Sequence, residues 1–322
     1  MTPTRLPAPD RNLALELVRV TEAAALAAAH WIGRGEKDAA DGAAVEAMRK
    51  AFDTVAIDGT VVIGEGEMDE APMLFIGEKV GCGGPAMDIA VDPLEGTSIA
   101  AKGAPNALAV VALAGRGCFL HAPDVYMEKI AVGPGLPEGI VGLDRSVREN
   151  LLSLAAAKAC GVDELMVCVL ERERHQDIIG ACRDAGARIT LIGEGDVAGV
   201  IAVAQPDSGI DLYLGSGGAP EGVLAAAALR CFGGQMQGKL VFEDQAQIDR
   251  ARSMGITDPG RIYNVTDMAK GDVLFAATGI TPGQMLGGVR FSGGRAVTHS
   301  LLTRSKSGTV RYVAAHHNLA RR

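Results

Sequence analysis

Apolar positions recur at helical spacing through Leu13, Leu17, Val20, Ala24 and Ala28, which predicts a first helix over 10–32 with Asp10 as its N-cap. Gly33-Arg34-Gly35 ends it, and a second helix over 41–55 opens with Asp41-Gly42 and carries Val45, Met48 and Phe52 on one face. Short apolar runs at 60–63, 74–76, 87–91, 107–113, 118–121 and 129–132 then read as strands. Past Gly133-Pro134-Gly135-Leu136-Pro137 the period alternates: helix 146–160, strand 165–170, helix 174–185, strand 188–192, helix 197–204, strand 210–214, helix 221–231. Alternation of this kind implies a mostly parallel sheet flanked by helices. The chain therefore reads as α/β, an α+β half followed by a βα half. The boundary falls near 133–145 and gives domains 1–140 and 141–322, while the tail 316–322 is expected to be frayed or docked.

Composition narrows the functional classes. Lys and Arg number 31 against 39 Asp and Glu, a net charge of −8, and aromatics are 4% with the single Trp31, so neither a basic face nor stacking platforms for nucleic acid are expected. The longest apolar run, Ala107 to Ala114, is far short of the ~20 residues of a membrane span. The first residues, MTPTRLPAPDRN, lack the apolar core of an export signal, and a cytoplasmic location is expected. Cys82, Cys118, Cys160, Cys168, Cys182 and Cys231 form no C-x-x-C pair and read as small buried thiols. Glycine, 42 residues, is well above its usual share of about 7% and implies many tight turns and close backbone approaches.

Candidate chemistry collects after strands. Gly64-Glu65-Gly66-Glu67-Met68-Asp69-Glu70 follows an apolar strand, reading either as a solvated acidic loop or as a mount for hard-cation ligands. In Asp88-Ile89-Ala90-Val91-Asp92-Pro93-Leu94-Glu95-Gly96-Thr97, Pro93 is expected to stop the ladder, with Asp92 and Glu95 on one turn and a helix opening at Gly96-Thr97. Either acid alone fits a turn or a helix start. Together, beside a helix N-terminus suited to phosphate, they would repel that phosphate unless Mg²⁺ or Mn²⁺ lay between. Leu214-Gly215-Ser216-Gly217-Gly218-Ala219-Pro220-Glu221-Gly222 has Pro220 where a dinucleotide fingerprint needs glycine, so it reads as a backbone approach to a sugar phosphate, with Glu221 either a further ligand or a dipole-complementing acid. Arg172 and Arg174 in Glu171-Arg172-Glu173-Arg174-His175 are placed for bidentate phosphate contact, and His175 reads as structural.

Gly33-Arg34-Gly35-Glu36-Lys37 with Asp41-Gly42-Ala43-Ala44-Val45, then Val62 to Glu67, Val91 to Thr97, Ala122-Pro123-Asp124-Val125-Tyr126-Met127-Glu128-Lys129 and Gly217 to Gly222 resemble, in order, the class II fructose-1,6-bisphosphatases, the GlpX family. The D-P-x-x-G-T element is shared across the lithium-sensitive phosphatase superfamily, including inositol monophosphatases. The resemblance implies a layered sugar-phosphatase fold with the active site between the two halves. It implies Asp41 and Glu65 on one divalent ion, and Asp92, Glu95 and Glu221 on a second, Mn²⁺ or Mg²⁺. Sugar-phosphate contacts carry over to Glu95, Gly96, Thr97, Tyr126, Arg172, Arg174, Glu194, Gly195, Asp196 and Gly218. Thr97 is assigned to orient water or phosphate, Asp69 to position or deprotonate the water, and Lys37 to orient carboxylates. Glu194 and Glu36 stand where the family has Asp, and Arg172 where it usually has Lys, which bears on substrate preference. The implied reaction is hydrolysis of the 1-phosphate of fructose 1,6-bisphosphate to fructose 6-phosphate, in gluconeogenesis or a sugar-phosphate cycle, by a homodimer or tetramer. Sedoheptulose 1,7-bisphosphate would use identical ligands, and a phosphosugar-binding regulatory protein is the reading without catalysis.

Overall fold

The computed structural model describes residues 12–66 and 73–321, so the Asp10 cap and Asp69 lie outside the described residues. Along the chain, helices α1 (Leu13–Ala29) and α2 (Lys37–Phe52) precede strands β1 (Asp58–Ile63), β2 (Lys79–Val80) and β3 (Ala86–Glu95), the short helix α3 (Thr97–Lys102) and strand β4 (Leu108–Gly115). Next come β5 (Tyr126–Val132), α4 (Val147–Lys158), β6 (Met166–Leu170), α5 (Gln176–Asp184), β7 (Arg188–Ile192), α6 (Asp196–Ala202), β8 (Leu212–Gly218) and α7 (Ala219–Phe232). They are followed by β9 (Gln235–Val241), α8 (Gln245–Ser253), β10 (Ile262–Asn264) and the one-turn α9 (Val265–Met268). Strands β11 (Leu274–Gly279), β12 (Arg290–Ser292), β13 (Arg295–Arg304) and β14 (Thr309–Asn318) complete it.

Two compact units result: residues up to Leu120 with those from Ala269 onward, and His121–Met268. This differs from the division expected near 133–145. Strand β5, on the early side of that boundary, is hydrogen-bonded along its length to β8 and β9, whereas β11 pairs with β4 and draws the last fifty residues into the first unit. Local periodicity shows that a strand exists but not its partner.

The first unit is a mixed sheet in the order β12-β13-β11-β4-β3-β1-β2, with β14 paired to β13. Strand β4 is buried at every position between β3 and β11, which explains its unbroken apolar run. Leu17, Val20, Ala24 and Ala28 of α1 and Ala44, Val45, Met48 and Phe52 of α2 join one core with Val61, Ile89, Val91, Val111 and Ala276. A buried hydroxyl chain, Thr21 to Thr278 at 2.7 Å and Thr278 to Ser300 at 2.8 Å, ties α1 to β11 and β13.

Two expected strands in this unit are turns. At 74–76, Leu74 has φ 54° and donates its N–H to the Glu78 carboxylate. At 118–121 the Asp88 carboxylate accepts the N–H groups of Gly117 and Cys118 at 2.7 and 3.0 Å, leaving one bridge, Phe119 to Ala269. A side-chain acceptor competing for the backbone overrides an apolar run this short. The His316-His317-Asn318 tail is docked as the end of β14, whose register on β13 runs from Thr309 to Asn318.

In the second unit the sheet order is β10-β9-β5-β8-β6-β7, and only β6–β7 and β6–β8 are parallel. The mostly parallel sheet expected from βα alternation is thus confined to one side, because β5 and β9 insert as antiparallel neighbours. Helix α4 starts at a capping box in which Ser146 and Glu149 satisfy each other's N–H groups. Leu151 and Leu154 of α4, Ile179 of α5 and Ile130, Val132, Val167, Val169, Leu212 and Leu214 of the sheet form the core.

All six cysteines are free thiols. Burial pushes Cys168 up to about 12 and Cys182 to about 11, as inert core thiols behave, whereas Cys82 is exposed, unlike the buried role expected for it.

Candidate active site

In the first unit the acids stand at the C-terminal ends of neighbouring parallel strands, the usual ligand position of an α/β sheet. Strand β3 does not stop at Pro93 but runs to Glu95 through a register shift: Asp92 pairs with Val110 and Glu95 with Leu108. Between these pairs, Pro93 and Leu94 of β3 therefore stand opposite the single Ala109 of β4. Regular alternation would send Asp92 and Glu95 to opposite faces; the inserted residue brings them to the same side and accommodates a proline that has no N–H for the ladder. Asp92 Oδ1 accepts the Leu94 N–H at 3.1 Å, and Glu95 is 4% exposed.

Gly96 follows in the left-handed conformation at φ 87° and leads into α3, whose first residue is the half-buried Thr97. Next to β3, Glu65 lies two residues past the end of β1, and its N–H donates to the Leu74 carbonyl at 3.1 Å. Gly64 is obligatory there, since a Cβ would lie 2.0 Å from the Leu74 carbonyl oxygen.

Helix α2 begins at Lys37, four residues before the expected start, so Asp41 is on its second turn. The alanines at 39 and 40 extend the helix back to Glu36, where the glycine turn ends. Hydrogen bonds of 2.9 Å from Gly33 N–H to Ala100 O and from Gly35 N–H to Ala101 O fasten that turn to α3. Asp41 is half-buried, and its carboxyl is pushed up by burial and by Asp38, one turn earlier; Lys37 is exposed.

The second unit assembles the remaining candidates around β5, β8 and the start of α7. Tyr126 pairs in register with Gly218, and the Arg174 guanidinium lies over the Tyr126 ring at 4.6 Å. Arg174 also donates to the Ser216 carbonyl at 2.7 Å. Buried His175 locks this turn: its Nδ1 lies 2.8 Å from the Leu170 carbonyl and its Nε2 accepts the Ser216 N–H at 2.8 Å. Both bonds are met by a neutral ring protonated at Nδ1, and burial lowers its pKa, so the structural role read from sequence fits. Arg172, half-buried, bonds to the Glu171 carbonyl at 3.2 Å.

Deeper in this unit, Gly195 is left-handed at φ 90° and sets Asp196 at the start of α6, 7% exposed and ion-paired to Lys129. Glu194 is half-exposed. Glu221 stands in the first turn of α7, after Pro220. Its Oε2 is buried without a hydrogen-bond partner among the described residues, and its carboxyl is pushed up by burial first and then by Asp196, with Lys129 opposing. A carboxylate so placed is suited to a divalent cation. Among the described residues, however, no three Asp, Glu, His or Cys side chains converge as a ready metal shell. Lys129 was not singled out from sequence, although it shares the inward strand phase with Met127 and Ala131 in β5, and a lysine on that phase is its signal.

Mixed sheets flanked by helices, with acids at parallel strand ends in one unit and arginines beside a glycine turn in the other, fit a layered α/β phosphatase fold. A family model described as bacterial fructose-1,6-bisphosphatase, glpX-encoded, matches residues 11–317, and the chain belongs to this family. It is 48% identical to "Fructose-1,6-bisphosphatase 1 class 2" of Escherichia coli K12 over 97% of each chain, and equally similar to "Fructose-1,6-bisphosphatase class 2" of Shigella flexneri.

Proposed function

We propose that this chain hydrolyses the 1-phosphate of fructose 1,6-bisphosphate, giving fructose 6-phosphate and inorganic phosphate, with Mn²⁺ or Mg²⁺. The observation that carries the reading is the β3 bulge, which turns Asp92 and Glu95 to one side beside the strand end bearing Glu65. Asp41, Glu65, Asp92, Glu95 and Glu221 are the carboxylates assigned to the ions. A bound divalent ion supplies charge neutralisation on the phosphate and acidification of a water. Thr97 orients the water or phosphate, Asp69 positions or deprotonates the water, and Lys37 orients the neighbouring carboxylates. Tyr126, Arg172 and Arg174 hold the 6-phosphate, so that binding energy from the unreactive end orients the scissile one. Gly195 and Gly218 admit the sugar close to the backbone, and Glu194 and Asp196 accept its hydroxyls.

The test is phosphate release by metal-stripped protein from fructose 1,6-bisphosphate, sedoheptulose 1,7-bisphosphate and inositol monophosphate, each with and without Mn²⁺ or Mg²⁺. Turnover of the fructose ester only with added ion is the expected result. Faster release from the sedoheptulose ester would rename the substrate, and no release from any would leave a phosphosugar-binding protein.

A further inference from the structure

Lys129 has no part in the assignments above, yet it has no solvent exposure at all. Its ammonium donates to Asp196 Oδ2 and favours the charged form of Glu221. The slot it occupies is built from glycines. A Cβ on Gly217 would lie 2.2 Å from Asp196 Oδ2 and 3.2 Å from Lys129 Nζ; one on Gly222 would lie 2.5 Å from Met127 Sδ and 3.1 Å from Lys129 Cε. Enclosing an ammonium is costly, and a buried ion pair is weak evidence for stability because an apolar pair of similar volume often does as well. The cost is explained when the pair fixes a group that must be oriented before its ligand arrives.

We infer that Lys129 is a positioning residue for substrate: it holds the Asp196 carboxylate in the orientation in which that group receives a sugar hydroxyl. The inference rests on the proposed role of Asp196 as a sugar contact. One Asp196 oxygen is occupied by the ammonium, which prevents the side chain from rotating and leaves the other oxygen as the acceptor. Gly217 and Gly222 are the space that lets lysine reach the carboxylate from β5.

The experiment compares D196N, K129M and the double variant K129M/D196N in three measurements: KM and kcat for fructose 1,6-bisphosphate at saturating Mn²⁺, fructose 6-phosphate binding by calorimetry to metal-free protein, and the thermal midpoint. Loss of a sugar contact made equally in the ground and transition states raises KM about tenfold in D196N and leaves kcat within about threefold. K129M is expected to reproduce that KM change and weaken fructose 6-phosphate binding by the same factor, and the double variant to match D196N alone. A K129M protein with a lowered midpoint but unchanged KM would make Lys129 merely structural and overturn the inference, as would multiplication of the two effects. If K129M does not fold, K129Q, uncharged and one atom shorter, takes its place in the same three measurements, and an unchanged KM in it overturns the inference. If D196N alone changes neither KM nor product binding, the failure lies in the sugar-contact reading, and both fall together.

Discussion

The same short phrase is used twice in this protein with opposite results. Glu95-Gly96-Thr97 in the first unit and Glu194-Gly195-Asp196 in the second both pass through a left-handed glycine, at φ 87° and ψ 54° and at φ 90° and ψ 55°, into a short helix. In the first, the acid before the glycine is buried, with Glu95 4% exposed; in the second it is the acid after it, with Asp196 7% exposed and Glu194 half-exposed. Backbone conformation does not account for this. The β3 bulge rotates Glu95 inward, whereas the enclosed ammonium of Lys129 draws Asp196 inward. Local sequence sets the turn, and the neighbouring strand decides which carboxylate turns inward. The charged neighbours differ accordingly: Asp41 in the first unit has another acid, Asp38, beside it, while in the second unit Lys129 pairs with Asp196 and opposes the upward shift of the Glu221 carboxyl.

The largest effect that would sharpen this contrast is expected for Glu95→Gln. Loss of a carboxylate proposed to hold the ion should lower Mn²⁺-dependent phosphate release by about a thousandfold or more. A variant retaining near-normal kcat would break the assignment of the first unit to metal chemistry. Arg174→Ala comes next, with KM for the bisphosphate raised about tenfold or more while a monophosphate ester loses much less. Equal losses for both esters would remove Arg174 from the 6-phosphate.

The two glycine turns test the shared backbone directly. Gly96→Ala and Gly195→Ala should each cost about 1–2 kcal/mol in denaturant unfolding, because an L side chain is strained in this conformation. Very unequal costs would show that the likeness of the two turns is superficial. Thr278→Val, which breaks the hydroxyl chain between Thr21 and Ser300, should cost about 1 kcal/mol and leave KM unchanged.

The smallest effect is a pH dependence confined to the second unit. The folded-state pKa of His175 is lowered, so its contribution to stability is complete above the ordinary value of about 6.5 and is lost as pH falls through the folded value. The unfolding midpoint should therefore decline on acidification below that point, and His175→Gln should flatten the decline. An identical slope in wild type and variant would show that the ring titrates alike in both states.

Much of this was legible in the residues. Helical spacing located α1, the apolar period placed a helix over 146–160 where α4 lies, and 188–192 is a strand with the expected bounds. The motifs carrying Asp92, Glu95 and Glu221 were visible because glycine, proline and acid in close succession have few uses other than turns and ligands. Other features were not legible. Pro93 reads as a strand end because proline breaks a ladder, and only β4 shows that a bulge carries the strand past it. Leu74 and Cys118 sit in apolar runs, and nothing in those runs shows that Glu78, four residues on, or Asp88, thirty residues earlier, captures the backbone there.

The sequence by itself determined most helices and strands up to α7, the acid-glycine turns and the family, because helix and strand periodicity and turn residues act over a few neighbours. Tertiary structure alone decided that β5 belongs with β8 and β9, that the last strands return to the sheet of the first, that Asp92 and Glu95 share a side, and that Lys129 reaches Asp196. Each of these depends on hydrogen bonds or charge between residues far apart in the chain, where strand register and burial, rather than local propensity, set the energy.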